Sequence, residues 1–435
     1  MNRVMKFTAA VSALAIGAGF AGSAAAQDFA ITNATVAIGD GSEPVNGATV
    51  VVRGGKIVAA GAGVAAPGDL QVYDGQGNWV TPGIFMPLTD LGLWDVGAVN
   101  DSNDVRAGDA RFGAALDAST AVNYASQHIA VSRAGGVTRA TITTAPADSI
   151  FAGQGAAIDL GADPDAVMQA KKFQLVVLGE MGARIAGGSR IAAYAEFANA
   201  LREARDLANG NWSGEDNLLT RADAAALGAV ISGQQQLYVH VERAADITAV
   251  LGLKRTYPQL DLVLVGVSEG WIVARQIAAS GVPVIADPLD DLPSSFEQLG
   301  ATQSNVGRMV DAGVKVALGG LSGGITGPRT APQFAGNLVA LQKVPRASGL
   351  TWGEAFASIT SIPAEISGYG GQFGVLKPGA AGDVVVWDGD PLEVSSAPVR
   401  VFIDGIEQPL TSHQTRLRDR YRDLDESDLP KAYDW

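Results

Sequence analysis

Between residues 80 and 370 the chain alternates short apolar runs with longer segments whose apolar residues recur every three or four positions. The apolar runs fall at 83–88, 136–143, 174–179, 237–241, 262–266, 282–286 and 314–319. Helical periodicity covers 191–207, 221–232, 244–257, 269–279, 302–312, 332–343 and 352–359. Runs this short and this apolar suit strands buried on both faces, and a helix after each run makes parallel βα units. Seven or eight such units predict an α/β protein built on a (β/α)8 TIM-like barrel, with any site at the carboxyl ends of the strands.

The flanks follow another pattern. Residues 29–73 are short β-rich runs separated by Gly- and Pro-bearing turns, and residues 376–405 return to the same rhythm. Together they predict a small β-sandwich built from both ends of the chain. The expected division is 27–79 and 371–410 for the sandwich and 80–370 for the barrel, with a charged tail at 411–435 that is a surface helix or frays. Residues 1–26 read as an export signal. Arg3 and Lys6 precede an apolar stretch, and Ala24-Ala25-Ala26 offers a small-residue cleavage site. The mature protein is therefore expected outside the cytoplasm, periplasmic or secreted, without a transmembrane helix.

Two glycine-rich stretches call for ordinary readings. Gly61 to Ala66 fits GxGxxA, but Pro67-Gly68 breaks the helix that would present its amides to a pyrophosphate, which leaves a hairpin turn. Residues 150–160, IFAGQGAAIDL, read as a Gly-rich turn and a short strand with no chemistry of their own.

Composition narrows the chemistry. The 435 residues carry a formal charge of -14, so there is no basic footprint for nucleic acid. Cysteine is absent, which removes disulfides, a thiolate nucleophile and cysteine metal sites. Only three histidines occur, His128, His240 and His413, too few for a histidine-rich metal centre.

The stretch VTPGIFMPLTDLGL at residues 80–93 resembles the first barrel strand of the amidohydrolase superfamily, in particular its imidazolonepropionase-like hydrolases. LKPGAAGDVVVWDG at 376–389 and Thr360-Ser361-Ile362-Pro363-Ala364 are similar to that superfamily's C-terminal signatures. The resemblance implies hydrolysis of non-peptide C–N bonds of the cyclic-amide type by a metal-bound hydroxide. Its ligands would come from strands one, four, five, six and eight. Position by position, Leu88 and Asp90 stand where two strand-one histidines are expected. Glu180 follows strand four, His240 keeps the strand-five histidine, and Gly266 replaces that of strand six. Gly320-Leu321 replaces the strand-eight Thr-Asp pair. The weak catalytic candidates are Asp90, His240 and Glu180, with Asp287 as a further carboxylate. His240 and Asp90 are the metal candidates, for no metal or a weakly bound Zn or Mn.

Three functions follow. The first is an exported C–N hydrolase with a degenerate metal site. The second is a non-catalytic barrel that binds a small molecule or a partner. The third is a serine hydrolase, because Gly266-Val267-Ser268-Glu269-Gly270 matches G-x-S-x-G, with Asp287 or Asp290 and then His413 in the order Ser…Asp…His.

Overall fold

The computed structural model describes residues 26–214, 216–319 and 327–422. The expected export signal, apart from Ala26, lies outside them, as do Gly320-Leu321 and the last part of the charged tail.

Both ends of the chain enter one eight-stranded sheet. The N-terminal segment supplies β1 (Phe29–Val36), β2 (Val45–Arg53), β3 (Lys56–Gly61), β4 (Gln71–Asp74) and β5 (Trp79–Pro82). After the barrel strands β6 to β13, the C-terminal segment adds β14 (Val384–Trp387), β15 (Pro398–Ile403) and β16 (Ile406–Glu407). The order is β16-β15-β14-β5-β1-β2-β3, with β4 also on β1. Antiparallel pairing of β14 with β5, Val384 opposite Pro82 to Trp387 opposite Trp79, joins the two ends. The turn after Gly61 is not a hairpin turn: β4 pairs in parallel with β1 rather than folding back on β3. The expected run of small antiparallel strands is thus mixed, since β5 is also parallel to β1.

The second sheet holds β6 (Ile84–Thr89), β7 (Val137–Ile142), β8 (Phe151–Asp159), β9 (Val167–Val177), β10 (Gln236–Val241), β11 (Leu262–Gly266), β12 (Val284–Ala286) and β13 (Val316–Leu318), paired in sequence order. It is an eight-stranded, nearly closed barrel. A side-chain carbon on Gly319, just past β13, would come 2.9 Å from Pro87 of β6, so the two edges touch. Pro87 has no N–H to give to a ladder at that point.

One strand departs from the all-parallel expectation. Residues 151–159, read as a turn and a short strand, form the fully paired β8, antiparallel to both β7 and β9. Chain length explains the reversal. A parallel return needs a crossover of roughly a dozen residues, and neither 143–150 nor 160–166 is long enough to supply one.

The barrel interior is packed with apolar and aromatic side chains. Phe173 and Tyr238 stack at 4.2 Å, with Val263, Val265 and Ile285 fully buried around them. At the opposite end from the mouth, Arg139 of β7 clamps the barrel to the terminal sheet. Its Nε and Nη2 donate to Asp383 at 2.7 and 2.9 Å, and Nη2 lies 2.8 Å from Asp404. Around the barrel the predicted helices form, with shifted starts. The segment expected to be helical from 269 first makes a short 3-10 turn at Gly270–Ile272, and the helix begins at Ala274. The charged tail carries a helix at His413–Arg420. No helix among the described residues is long and apolar enough to cross a membrane.

Candidate functional site

The carboxyl ends of β10, β11 and β12 place His240, Glu242, Ser268 and Asp287 together, all buried. His240 and Glu242 are two residues apart at the end of a strand, so their side chains leave on the same side. His240 Nε2 lies 3.0 Å from Glu242 Oε1. The other carboxylate oxygen accepts the Ser268 amide at 2.8 Å and the Ser268 hydroxyl at 2.7 Å. Gln298 donates to the same hydroxyl at 3.3 Å. Burial alone would lower the imidazole's pKa, but the hydrogen bond and charge of Glu242, with Glu297 and Asp287 behind it, raise it. Burial opposes ionisation of Glu242 too, yet His240 and the two Ser268 donors hold it below the usual carboxylate range. Both directions favour a charged pair.

Backbone geometry makes room for it. Gly266 (φ +86°) and Val267 (φ +53°) are both left-handed, which turns the Ser268 amide onto Glu242. A side-chain carbon at Gly266 would sit 2.5 Å from Glu242 Oε1. The carboxylate therefore occupies the place where a strand-six side chain would emerge. Val267 is β-branched in a region such residues avoid, a strain that the Ser268–Glu242 bonds hold in place.

A second knot adjoins the first. Arg190 reaches Glu180 at 3.4 Å, Glu297 at 3.2 Å and Asp246 at 3.3 Å. Glu297 Oε2 also accepts the Glu180 amide at 2.7 Å. Burial pushes the Glu297 carboxyl up, against the pull of that amide, His240 and Arg190. A guanidinium thus already neutralises the carboxylates beyond β9.

The side of the mouth formed by β6 and β13 is different. Leu88, left-handed at φ +54°, donates its N–H to Thr141 Oγ1 at 2.9 Å, and the resulting irregularity in β6 delivers Asp90 to the rim. Asp90 lines a cavity of about 510 Å³ with Met86, Leu88, Trp94, His128 and Arg329 among its walls. It also lines an adjoining one of about 480 Å³ with Trp94, Asn103 and Arg106. Trp94 and His128 stack at 3.7 Å. The start of the helix Gln127–Ala134 fixes this wall. Ser126 Oγ donates to the Trp94 carbonyl at 3.0 Å, and Gln127 Nε2 and His128 Nε2 reach the Asp95 carbonyl at 2.8 and 3.1 Å. Among the described residues no hydrogen bond or ion pair satisfies the Asp90 carboxylate.

The three sequence candidates therefore hold different partners. His240 binds Glu242, Glu180 binds Arg190, and Asp90 faces the cavities beside Trp94. Glu180 and His240 communicate through Glu297; Asp90 stands with neither. No group of three or more His, Asp or Glu side chains among the described residues is arranged to hold a metal ion. Ser268 gives its proton to Glu242 rather than to an imidazole. His413 lines the β6 side cavity, and no helix directly follows the serine turn. Asp290 is half-buried, its carboxyl raised by desolvation and then by Glu242 and Asp291.

Sequence reasoning missed Glu242, Glu297, Arg190 and the Trp94–His128 wall. The i, i+2 spacing of His240 and Glu242 was available as a signal. Glu297 and Arg190 carry none, because a short 3-10 turn at Phe296–Gln298 and the start of the helix Arg190–Ala208, distant in the chain, bring them in.

Residues 271–405 match the sequence model of the Amidohydrolase family. Over 60 residues the chain is 50% identical to amidohydrolase tasK of Hapsidospora irregularis; that segment is 14% of this chain and only 6% of that protein's length. Among solved structures, an amidohydrolase from Thermotoga maritima MSB8 superposes with a TM-score of 0.76 at 22% identity, covering 87% of this chain and 99% of that one. Molinate hydrolase does so with a TM-score of 0.53 at 16% identity, covering 89% and 95%. N-isopropylammelide isopropylaminohydrolase from Burkholderia multivorans ATCC 17616 gives 0.50 at 17% identity, covering 88% and 98%. The structural likenesses are likenesses of fold.

Proposed function

We propose that the chain is a member of the amidohydrolase superfamily whose (β/α)8-type barrel, with one strand reversed, binds a small molecule or partner at its mouth without metal-dependent hydrolysis; the match of residues 271–405 and the fold likeness support that membership. The superfamily's usual group is a divalent metal, and the donor set here does not fit one. The observation that carries this reading is Glu242. Its carboxylate fills the space a side chain on Gly266 would need, and it pairs with His240 and Ser268. The one imidazole retained at a family position is thereby committed to an internal ion pair. Leu88, at the first strand-one position, has no donor atom, and Arg190 already supplies the cation beside Glu180 and Glu297. Breaking a buried charged pair to free a ligand costs several kcal/mol, which works against metal affinity. The leader at residues 1–26 supports export as part of the same proposal.

A second reading keeps hydrolysis of C–N bonds, favoured by His240 at the strand-five position and by fold neighbours named for such hydrolases. In it Asp90 and His240 would hold a Zn or Mn ion.

Elemental analysis separates the two. Protein purified without chelators from Zn- and Mn-supplemented medium is expected to hold well under one equivalent of transition metal, and to leave cyclic amides and dipeptides intact. Near-stoichiometric metal that disappears in His240→Ala or Asp90→Ala would restore the hydrolase.

A further inference from the structure

We propose that the paired cavities around Asp90 form a binding site for a small organic cation, an amine or guanidine carried on an apolar body. This rests on the binding reading above, and it assigns the ligand's chemistry.

The argument starts from the carboxylate. A half-buried acid is normally satisfied by hydrogen bonds or an opposite charge, because desolvating it unpaired is costly. Glu242 and Glu297 at the opposite side of the mouth obey this: Glu242 has His240 and Ser268, and Glu297 has Arg190 and the Glu180 amide. Asp90 differs from these two, for no hydrogen bond or ion pair reaches its carboxylate among the described residues. Asp90 also stands where two cavities of about 510 and 480 Å³ adjoin, so the group lacking a partner is the one a ligand reaches from either side.

The walls set the rest of the ligand. Met86, Leu88 and Leu91 are buried apolar residues of the larger cavity, and the stacked Trp94–His128 pair closes it with an aromatic face. That wall is built in advance. Three side chains at the start of one helix grip the carbonyls of Trp94 and Asp95, so little ordering is needed on binding. A carbonyl only accepts, so His128 spends its Nε2 proton on Asp95 and does not present that proton to Asp90. Arg329, His413 and Arg106, the basic groups of the two cavities, are solvent-exposed; Arg329 donates to Gln414 at 3.0 Å and Arg106 to the Pro146 carbonyl at 3.0 Å. Solvent screens them more than it screens a charge delivered directly to Asp90. A few convergent polar groups in a mostly apolar cleft is the composition of a small-molecule site.

The test titrates the full chain with 2-phenylethylamine hydrochloride by isothermal calorimetry, with 2-phenylethanol as the neutral comparator. Metal content is measured on the same preparation. The amine is expected to saturate one site and to bind about tenfold tighter than the alcohol, the advantage of one charge-assisted hydrogen bond. Asp90→Asn should erase that preference while leaving alcohol binding and the circular dichroism spectrum unchanged. Equal affinities, no saturable binding, or an amine preference that survives Asp90→Asn in metal-free protein would each overturn this inference alone. Stoichiometric metal that is lost in Asp90→Asn would instead overturn the binding reading beneath it, since the carboxylate would then be a metal ligand.

Discussion

The two halves of the barrel mouth have been treated in opposite ways. At the ends of β10, β11 and β12, Glu242 is answered from within the chain by His240 and Ser268, and Glu297 behind it by Arg190. At the ends of β6 and β13, Asp90 lines two cavities and no described side chain answers it. Both halves sit on the same sheet, so the fold does not impose the difference. It arises from which side chains fill the space. A glutamate two residues past His240, together with a glycine at 266, lets the protein neutralise itself on one side. A leucine at 88 and an aspartate at 90 supply neither a metal-binding imidazole nor an internal partner on the other. One barrel mouth can thus fill part of its space with its own paired groups and leave a carboxylate facing a cavity elsewhere.

The largest effect should come from undoing the closed half. Gly266→His restores a superfamily side chain but collides with Glu242 and forces a left-handed backbone on a non-glycine residue. It should destabilise the fold by about 4 kcal/mol. Chemical denaturation reads this directly, and the double variant with Glu242→Ala should recover part of the loss. A mild single variant would show that Glu242 is not packed where a side chain at 266 must go.

An intermediate effect concerns pH. The raised folded pKa of His240 means that its contribution is complete below its ordinary value of 6.5 and is lost as pH rises through the folded value. The lowered pKa of Glu242 means that its contribution is present above its ordinary value of 4.5 and is lost as pH falls through the folded value. The pair is therefore worth most between about pH 4.5 and 6.5. The stability difference between the parent chain and His240→Gln should shrink by about 1 kcal/mol from pH 6 to pH 9. Taking the difference removes other titrating groups, such as Asp159, whose carboxyl desolvation raises to about 6. A difference that stays flat over that range would mean the imidazole is neutral in the folded protein.

The smallest effect belongs to the open half. Asp90→Asn removes a charge that no described residue uses, so stability should change by no more than about 0.5 kcal/mol. A loss of several kcal/mol would reveal a partner for Asp90 and erase the contrast between the two halves.

The sequence by itself determined the alternation of strands and helices and the β character of both chain ends, which it read as a small sandwich; the structure decided that they pair into one mixed sheet. The identities of Leu88 and Gly266, where the resemblance implies metal donors, were also plain in the sequence. These are local properties: periodicity, turn residues and residue identity are written into short windows of chain. It was silent on the reversal of β8 until the short connections 143–150 and 160–166 were weighed against the length of a crossover. Only the tertiary structure decided what stands beside each candidate. His240 and Glu242 are near neighbours in sequence, but Glu297 reaches His240's surroundings from a loop beyond β12, and Arg190 comes from the helix after β9. The electrostatic state of a buried group depends on charges within a few ångströms in space. A chain of this length brings those charges from positions that no local pattern marks, so the same three candidate residues were legible while the company each one keeps was not.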